Sequence, residues 1–153
     1  LKTTINGIEY NLLVPSRLLA SDFLRDNLNL TGTHVGCEHG ICGSCTIKID
    51  GLTARSCLKF AVQLDGKKVE TVESFKEKPE TRNILEKFKA HHSLQCGFCT
   101  PGFLMIIDEL LKSKIKFSEN EIREALSGNL CRCTGYENII KAAKEILAHK
   151  VIK

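Results

Sequence analysis

The chain has 153 residues, of which 42% are hydrophobic and 26% are charged, so one or two folded domains are expected and a disordered chain is excluded. Lys and Arg number 22 against 18 Asp and Glu, and this net charge of +4 is spread along the chain, which excludes a protein that binds nucleic acid through a basic patch. Cysteine is the unusual component, with eight residues beside one methionine and no tryptophan.

The first residues predict a hairpin followed by a helix. Asn6-Gly7 lies between alternating apolar residues, and this dipeptide is a strong signal for a two-residue turn because both positions need a positive φ. Pro15 ends the second strand of the hairpin. Ser16 is then expected to cap a helix that reaches Leu28.

A second hairpin is predicted after a glycine-rich loop. Its turn is Asp50-Gly51, its second strand covers residues 52–58, and a last strand covers residues 69–75. Two hairpins around one helix are typical of a β-grasp sheet. The charged segment Lys76–Pro79 marks a boundary, so residues 1–76 and 77–153 are predicted to form two domains.

The second half predicts four helices joined by short loops, which together form a small all-α bundle. A proline favours the first turn of one helix, and two capping boxes predict where two others begin. In chain order these are a helix over residues 80–92, one from Pro101 to Leu111, one capped by Ser118 and Glu121, and one capped by Thr134 and Glu137. The expected fold class is therefore α+β.

The first four cysteines have the spacing of a plant-type [2Fe–2S] site. They are Cys37, Cys42, Cys45 and Cys57, that is C-x4-C-x2-C followed by eleven residues and a fourth cysteine. Glycines in this loop allow the backbone to approach the inorganic sulfides closely. A zinc site with four cysteines usually has paired short spacings, which C-x4-C does not match.

The last four cysteines are compatible with two kinds of metal centre. Cys96, Cys99, Cys131 and Cys133 have the spacing C-x2-C and C-x-C, which fits a second [2Fe–2S] cluster or a structural zinc ion. Cys99 and Cys133 each precede a predicted helix, and a helix N-terminus favours the negative charge of either centre. Beside the first cluster, a second cluster has an evident use as part of an electron relay.

The cysteines also help to predict the cellular compartment in which the protein is found. Eight cysteines are compatible with four disulfides in a secreted protein, but the stretch 1–20 carries Lys2, Glu9 and Arg17 and has no apolar run typical of a signal peptide. The longest apolar run, 103–107, stops at Asp108, so no membrane span is expected. We therefore expect a cytoplasmic chain with reduced thiols that bind metal.

Three motifs resemble those of one family, the molybdenum hydroxylases of the xanthine oxidase type. They are Gly36–Thr46 around the first cluster, and Gln95–Gly102 and Asn129–Tyr136 around the second. The resemblance covers nearly the whole chain, whose size matches the separate small iron–sulfur subunit of carbon monoxide, aldehyde or nicotinate dehydrogenases. It implies a plant-type ferredoxin-like β-grasp domain followed by a four-helix [2Fe–2S]-binding domain.

The resemblance also implies a function. The chain would relay electrons between a molybdenum–pterin centre in a large subunit and FAD in a medium subunit, as the non-catalytic subunit of an oxidoreductase assembled as a dimer of heterotrimers. Gln95 would contact the pterin, and the thiolate of Cys133 would lie closest to it. An alternative of another class is an independent iron–sulfur redox sensor, which has no need for a second cluster between helix N-termini.

Overall fold

The computed structural model describes residues 1–148 as a mixed five-stranded sheet followed by helices, which confirms the α+β class. The strand order is β2-β1-β5-β3-β4; β1 and β5 are parallel, and the other neighbouring pairs are antiparallel. The strands are β1 (Lys2–Ile5), β2 (Ile8–Asn11), β3 (Thr46–Ile49), β4 (Leu52–Arg55) and β5 (Lys68–Glu70).

Both predicted hairpins are confirmed. Asn6 and Gly7 have φ angles of 50° and 83° between β1 and β2, and Asp50 and Gly51 have φ angles of 51° and 87° between β3 and β4. Each dipeptide supplies the two consecutive positive φ values that such a turn requires. The turn chemistry therefore fixes the register of both pairs.

The predicted helix from Ser16 to Leu28 is wrong at its start. The backbone before the helix is extended instead: Ala20 N–H donates to the carbonyl of Lys59 (2.8 Å), and Ala61 N–H donates to that of Leu18 (2.7 Å). Ser16 therefore caps nothing. Helical structure covers Ala20–Asp22 (α1) and continues as a π-helical turn over Phe23–Asn27.

Two predicted strands are also too long. The strand predicted over residues 52–58 ends at Arg55, and the strand predicted over residues 69–75 ends at Glu70; short 3-10 turns cover Ser56–Leu58 and Val72–Lys76. In the second case the amide of Thr71 donates to Asn6 Oδ1 (2.8 Å) rather than to a neighbouring strand. A side-chain acceptor thus ends β5 earlier than the apolar pattern indicates, whereas after β4 the amide of Ser56 donates to the backbone carbonyl of Cys45 (3.2 Å).

Four helices follow in the second half of the described chain, as predicted. Ser118 and Glu121 form their capping box, in which Ser118 N–H donates to Glu121 Oε2 (2.7 Å). The box predicted from Thr134 and Glu137 is wrong, because the Thr134 hydroxyl accepts the amide of Tyr136 (3.2 Å) instead. The helices are α2 (Pro79–Ala90), α3 (Thr100–Lys112), α4 (Glu119–Leu126) and α5 (Glu137–Ala148).

Each half has its own apolar core. Ile5 and Ile47 of the sheet are buried together with Phe23 in one core, whereas Phe103 and Ile146 are buried among the helices. No helix within residues 1–148 has the length and apolarity needed to cross a membrane.

Buried charges join the two halves. Lys48 on β3 is only 1% exposed, and its Nζ bonds the fully buried carboxylate of Asp108 on α3 and Glu70 Oε2 at 3.1 Å. Lys112 Nζ reaches the same Asp108 oxygen at 2.9 Å. Burial works to lower the pKa of Lys48, but the two carboxylates outweigh it and the pKa is raised. An ion-pair network therefore fixes the sheet against α3.

Candidate metal centres

The first four cysteines lie in and beside one glycine-rich loop. Cys42 N–H donates to Cys37 Sγ at 3.4 Å, and this bond and others from the loop backbone lower the pKa of Cys37 to about 6. Cys45 and Cys57 are buried, and burial together with the neighbouring Cys45 thiol raises the pKa of Cys57 to about 11. Cys57 lies in the turn after β4 and not in a strand. Gly43, with a φ of 79°, lets the loop turn between its cysteines.

The second four cysteines meet between the helices. The sulfur atoms of Cys96 and Cys133 are 3.5 Å apart at the surface, and those of Cys99 and Cys131 face each other in the interior. Burial and the contact with Cys131 raise the pKa of Cys99 to about 12. Burial alone would raise the pKa of Cys131 as well, but hydrogen bonds from Thr134 and the loop backbone lower it.

The donor set fits two [2Fe–2S] clusters. All eight cysteines are free thiols, and the close contacts arrange them two by two. Two thiolates on each of two irons is the arrangement that such a cluster requires. Within residues 1–148, no three or more His, Cys, Asp or Glu side chains converge on the position of a single metal ion.

The two cysteine loops touch directly. Leu130 N–H, next to Cys131, donates to the carbonyl of Cys42 at 2.9 Å. A Cβ added at Gly102 would overlap the carbonyl oxygen of Gly43, so only glycine permits this approach of α3 to the first loop. Asn129 is 1% exposed and fills the space between these two glycines.

Side chains add further contacts between the loops. Arg55 Nη2 donates to the carbonyl of Gly128 (2.8 Å). The ring of His34 stacks on Phe98 at 4.8 Å and bonds its carbonyl through Nδ1 at 2.8 Å. From the sequence, Arg55 has no predicted role and Leu130 belongs only to the motif around the second cluster, because neither residue carries a signal for a contact between distant loops.

Gln95 lies beside the second group of cysteines at the surface. It is exposed, as are its neighbour Cys96 and the predicted pterin-side ligand Cys133. Several large side chains close along the chain to these cysteines are also exposed: Leu94, Phe98, Leu130 and Tyr136 are 36–50% exposed. An exposed apolar patch of this kind around polar groups is typical of a surface that binds another protein.

Comparison with known proteins identifies both halves. A family described as a [2Fe-2S] binding domain matches residues 71–144, and one described as a 2Fe-2S iron-sulfur cluster binding domain matches residues 27–93. The chain is 53% identical over 146 residues to the caffeine dehydrogenase subunit gamma of Pseudomonas sp. (strain CBB1), covering 94% of this chain and 87% of the relative.

Two further relatives agree. The nicotine 6-hydroxylase small subunit of Paenarthrobacter nicotinovorans is 49% identical over 138 residues, covering 90% of this chain and 83% of the relative. The solved structure of quinoline 2-oxidoreductase from Pseudomonas putida 86 contains a chain that superposes with a TM-score of 0.87 at 45% identity, covering 98% of this chain and 96% of that one.

Proposed function

This chain belongs to the family of small iron–sulfur subunits of molybdenum hydroxylases, and on that premise we propose that it relays electrons between a molybdenum–pterin centre in a large subunit and FAD in a medium subunit. Its relatives are named as subunits of oxidoreductases, which favours this function over an independent redox sensor. The chain itself is then a non-catalytic subunit.

We propose that Cys37, Cys42, Cys45 and Cys57 hold one [2Fe–2S] cluster, and that the four cysteines of the second group hold another. The second set is Cys96, Cys99, Cys131 and Cys133. Each cluster, when bound, supplies one-electron redox chemistry. The family description over residues 71–144 favours iron over zinc in the second site.

The observation that carries this proposal is the contact between the two loops. The amide of Leu130 donates to the carbonyl of Cys42. Leu130 is next to Cys131, a proposed ligand of the second cluster, and Cys42 is a proposed ligand of the first. An electron relay needs its centres held at a fixed, short separation, whereas two unrelated metal sites do not. The buried network of Lys48 and Asp108 supports the same purpose by holding the sheet against α3.

The finer architecture is also a proposal. We assign residues 1–76 to a plant-type ferredoxin-like β-grasp domain and residues 77–153 to a four-helix [2Fe–2S]-binding domain. The parallel pairing of β1 and β5 in a sheet with two hairpins supports the first assignment, and four helices with their own core support the second. Phe75 packs into the helical core, so the chain crosses between the two cores close to the assigned boundary.

We further propose that the large subunit binds the apolar patch around Gln95 and that the side-chain amide of Gln95 bonds the pterin. The exposed position of Gln95 and of the Cys133 thiol supports this assignment. The full assembly would be a dimer of heterotrimers in the cytoplasm.

Metal analysis and one variant test the relay. Four irons and four sulfides per chain are expected, and two irons with one zinc would refute the second cluster. In the assembled complex, Cys42→Ala should stop electrons from reaching the flavin while substrate still reduces the molybdenum centre and the second cluster. Flavin reduction at the normal rate in that variant would refute the proposed direction of transfer.

A further inference from the structure

The Thr134 hydroxyl touches a proposed cluster ligand. Thr134 lies in the loop before α5, directly after Cys133, and its Oγ1 is 3.1 Å from Cys131 Sγ. The same oxygen accepts the amide of Tyr136 at 3.2 Å. The capping role predicted for this threonine is therefore replaced by a contact with a sulfur atom.

The position of the hydroxyl proton follows from these partners. A hydroxyl has one proton to donate and two lone pairs with which to accept. The amide of Tyr136 occupies a lone pair, and a metal-bound thiolate has no proton of its own. When Cys131 binds metal, the Thr134 proton must therefore point toward Sγ, and the contact is an O–H···S hydrogen bond.

The surrounding loop holds this geometry. Cys131 N–H donates to the Tyr136 hydroxyl oxygen at 3.0 Å. This bond closes the loop that contains Thr134, because Cys131 precedes Thr134 in the chain and Tyr136 follows it. The ring of Tyr136 also packs edge-on against Phe103 in the helical core, with centroids 6.4 Å apart. Cys131 is only 8% exposed, and a hydrogen bond is electrostatically stronger where water is excluded.

We propose that Thr134 sets the reduction potential of the cluster in the helical half by donating a hydrogen bond to the Cys131 thiolate. The inference rests on the proposed function, since it requires a redox cluster at these cysteines. Reduction of the cluster adds one electron, supplied by the molybdenum centre or by a chemical reductant, and increases the negative charge shared by the sulfur ligands. A donor to one of those sulfurs stabilises the reduced state more than the oxidised state, which raises the potential.

The first cluster site provides an internal control. There, the backbone amide of Cys42 is one of the donors to the Cys37 sulfur, at 3.4 Å, and no substitution at Thr134 removes it. An effect that reaches both clusters equally would indicate a general disturbance of the chain. An effect confined to the helical half is what a local hydrogen bond predicts.

The test is a redox titration of the assembled complex, followed by electron paramagnetic resonance, for the wild type and for Thr134→Val, Thr134→Ala and Thr134→Ser. Valine and alanine remove the hydroxyl, and each should lower the midpoint of the helical-half cluster. We expect up to about a tenfold fall in the ratio of reduced to oxidised cluster at a given potential, which is ~59 mV for a one-electron couple. Serine keeps the hydroxyl and should keep the wild-type midpoint.

The outcomes separate this inference from the function on which it rests. If the wild type contains only two irons per chain, the proposed function fails. If the wild type contains both clusters but neither valine nor alanine lowers the midpoint, the role of Thr134 is refuted and the relay stands. Serine lowering the midpoint as much as valine, or an equal shift of both clusters, would also refute it.

Discussion

Replacing Asp108 by leucine removes the buried carboxylate that joins α3 to the sheet, and we expect the two halves to separate more readily. Asp108 is fully buried, and Lys48 is 1% exposed and bonds it directly. After the change, the Lys48 ammonium stays buried. Of its two carboxylate partners, Asp108 and Glu70, only Glu70 remains, at 3.1 Å. An ammonium that has lost part of its compensation inside a protein is costly.

The size of the effect follows from the remaining contact. Removing one partner of a buried ion pair costs about 3–5 kcal/mol. Because Glu70 still faces Lys48, we take the lower end, ~3 kcal/mol, which is roughly a 10²-fold change in an opening equilibrium. Hydrogen exchange on the cluster-loaded full chain measures this directly, through the amides of β3 and α3.

Lys112→Met is the matched control. It removes another cation from the same Asp108 oxygen, but the Lys112 side chain is 42% exposed, so we expect a loss of only about 0–1 kcal/mol. The double variant Lys48→Met/Asp108→Leu should recover most of the lost protection, because no buried charge of the pair is left unpaired. Equal exchange rates in Asp108→Leu and Lys112→Met would refute the reasoning.

Three further changes test other parts of the structure. Cys57→Ala should remove one set of [2Fe–2S] signals in electron paramagnetic resonance and leave the other, and survival of both sets would mean that Cys57 is no ligand. Gln95→Ala should leave both clusters intact and modestly slow electron transfer from molybdenum in the assembled complex, by the loss of a bond worth roughly 0.5–1.5 kcal/mol; an unchanged rate of cluster reduction would argue against the pterin contact. Hydrogen bonds from Lys87 and His91 lower the pKa of Glu145 from 4.5 to about 2, so its contribution to stability is present above the unfolded pKa and is lost as the pH falls toward 2. Glu145→Gln should therefore make the free energy of unfolding less dependent on pH between about 4.5 and 2, and an unchanged acid titration of stability would contradict this assignment.

Features encoded by neighbouring residues could be predicted from the sequence. Asn6-Gly7 and Asp50-Gly51 form their turns because the required φ values depend on those residues alone. The Ser118 capping box forms because its partner is three residues away. Thr134 has the same pattern, but its hydroxyl is used by Tyr136 and Cys131, and that competition exists only in the folded loop.

The site shows the same division. The spacing of the cysteines predicts the two groups that the fold brings together, whereas the contact between the groups has no signal in the chain. Lys48 and Asp108 lie 60 positions apart, and a lysine in a strand next to a turn gives no indication of burial. Their pairing follows from the docking of α3 on β3, which is a property of the tertiary structure.

The hydrogen bond between Leu130 and Cys42 uses only main-chain atoms, so it places little constraint on which side chains evolve at these two positions. The Leu130 side chain is half exposed and takes no part in the bond, so position 130 can change among residues without weakening the junction between the loops. Proline is the exception, because it lacks the amide proton. The carbonyl at position 42 is likewise present whatever the side chain there, so the junction and the cluster ligand at this residue use different atoms.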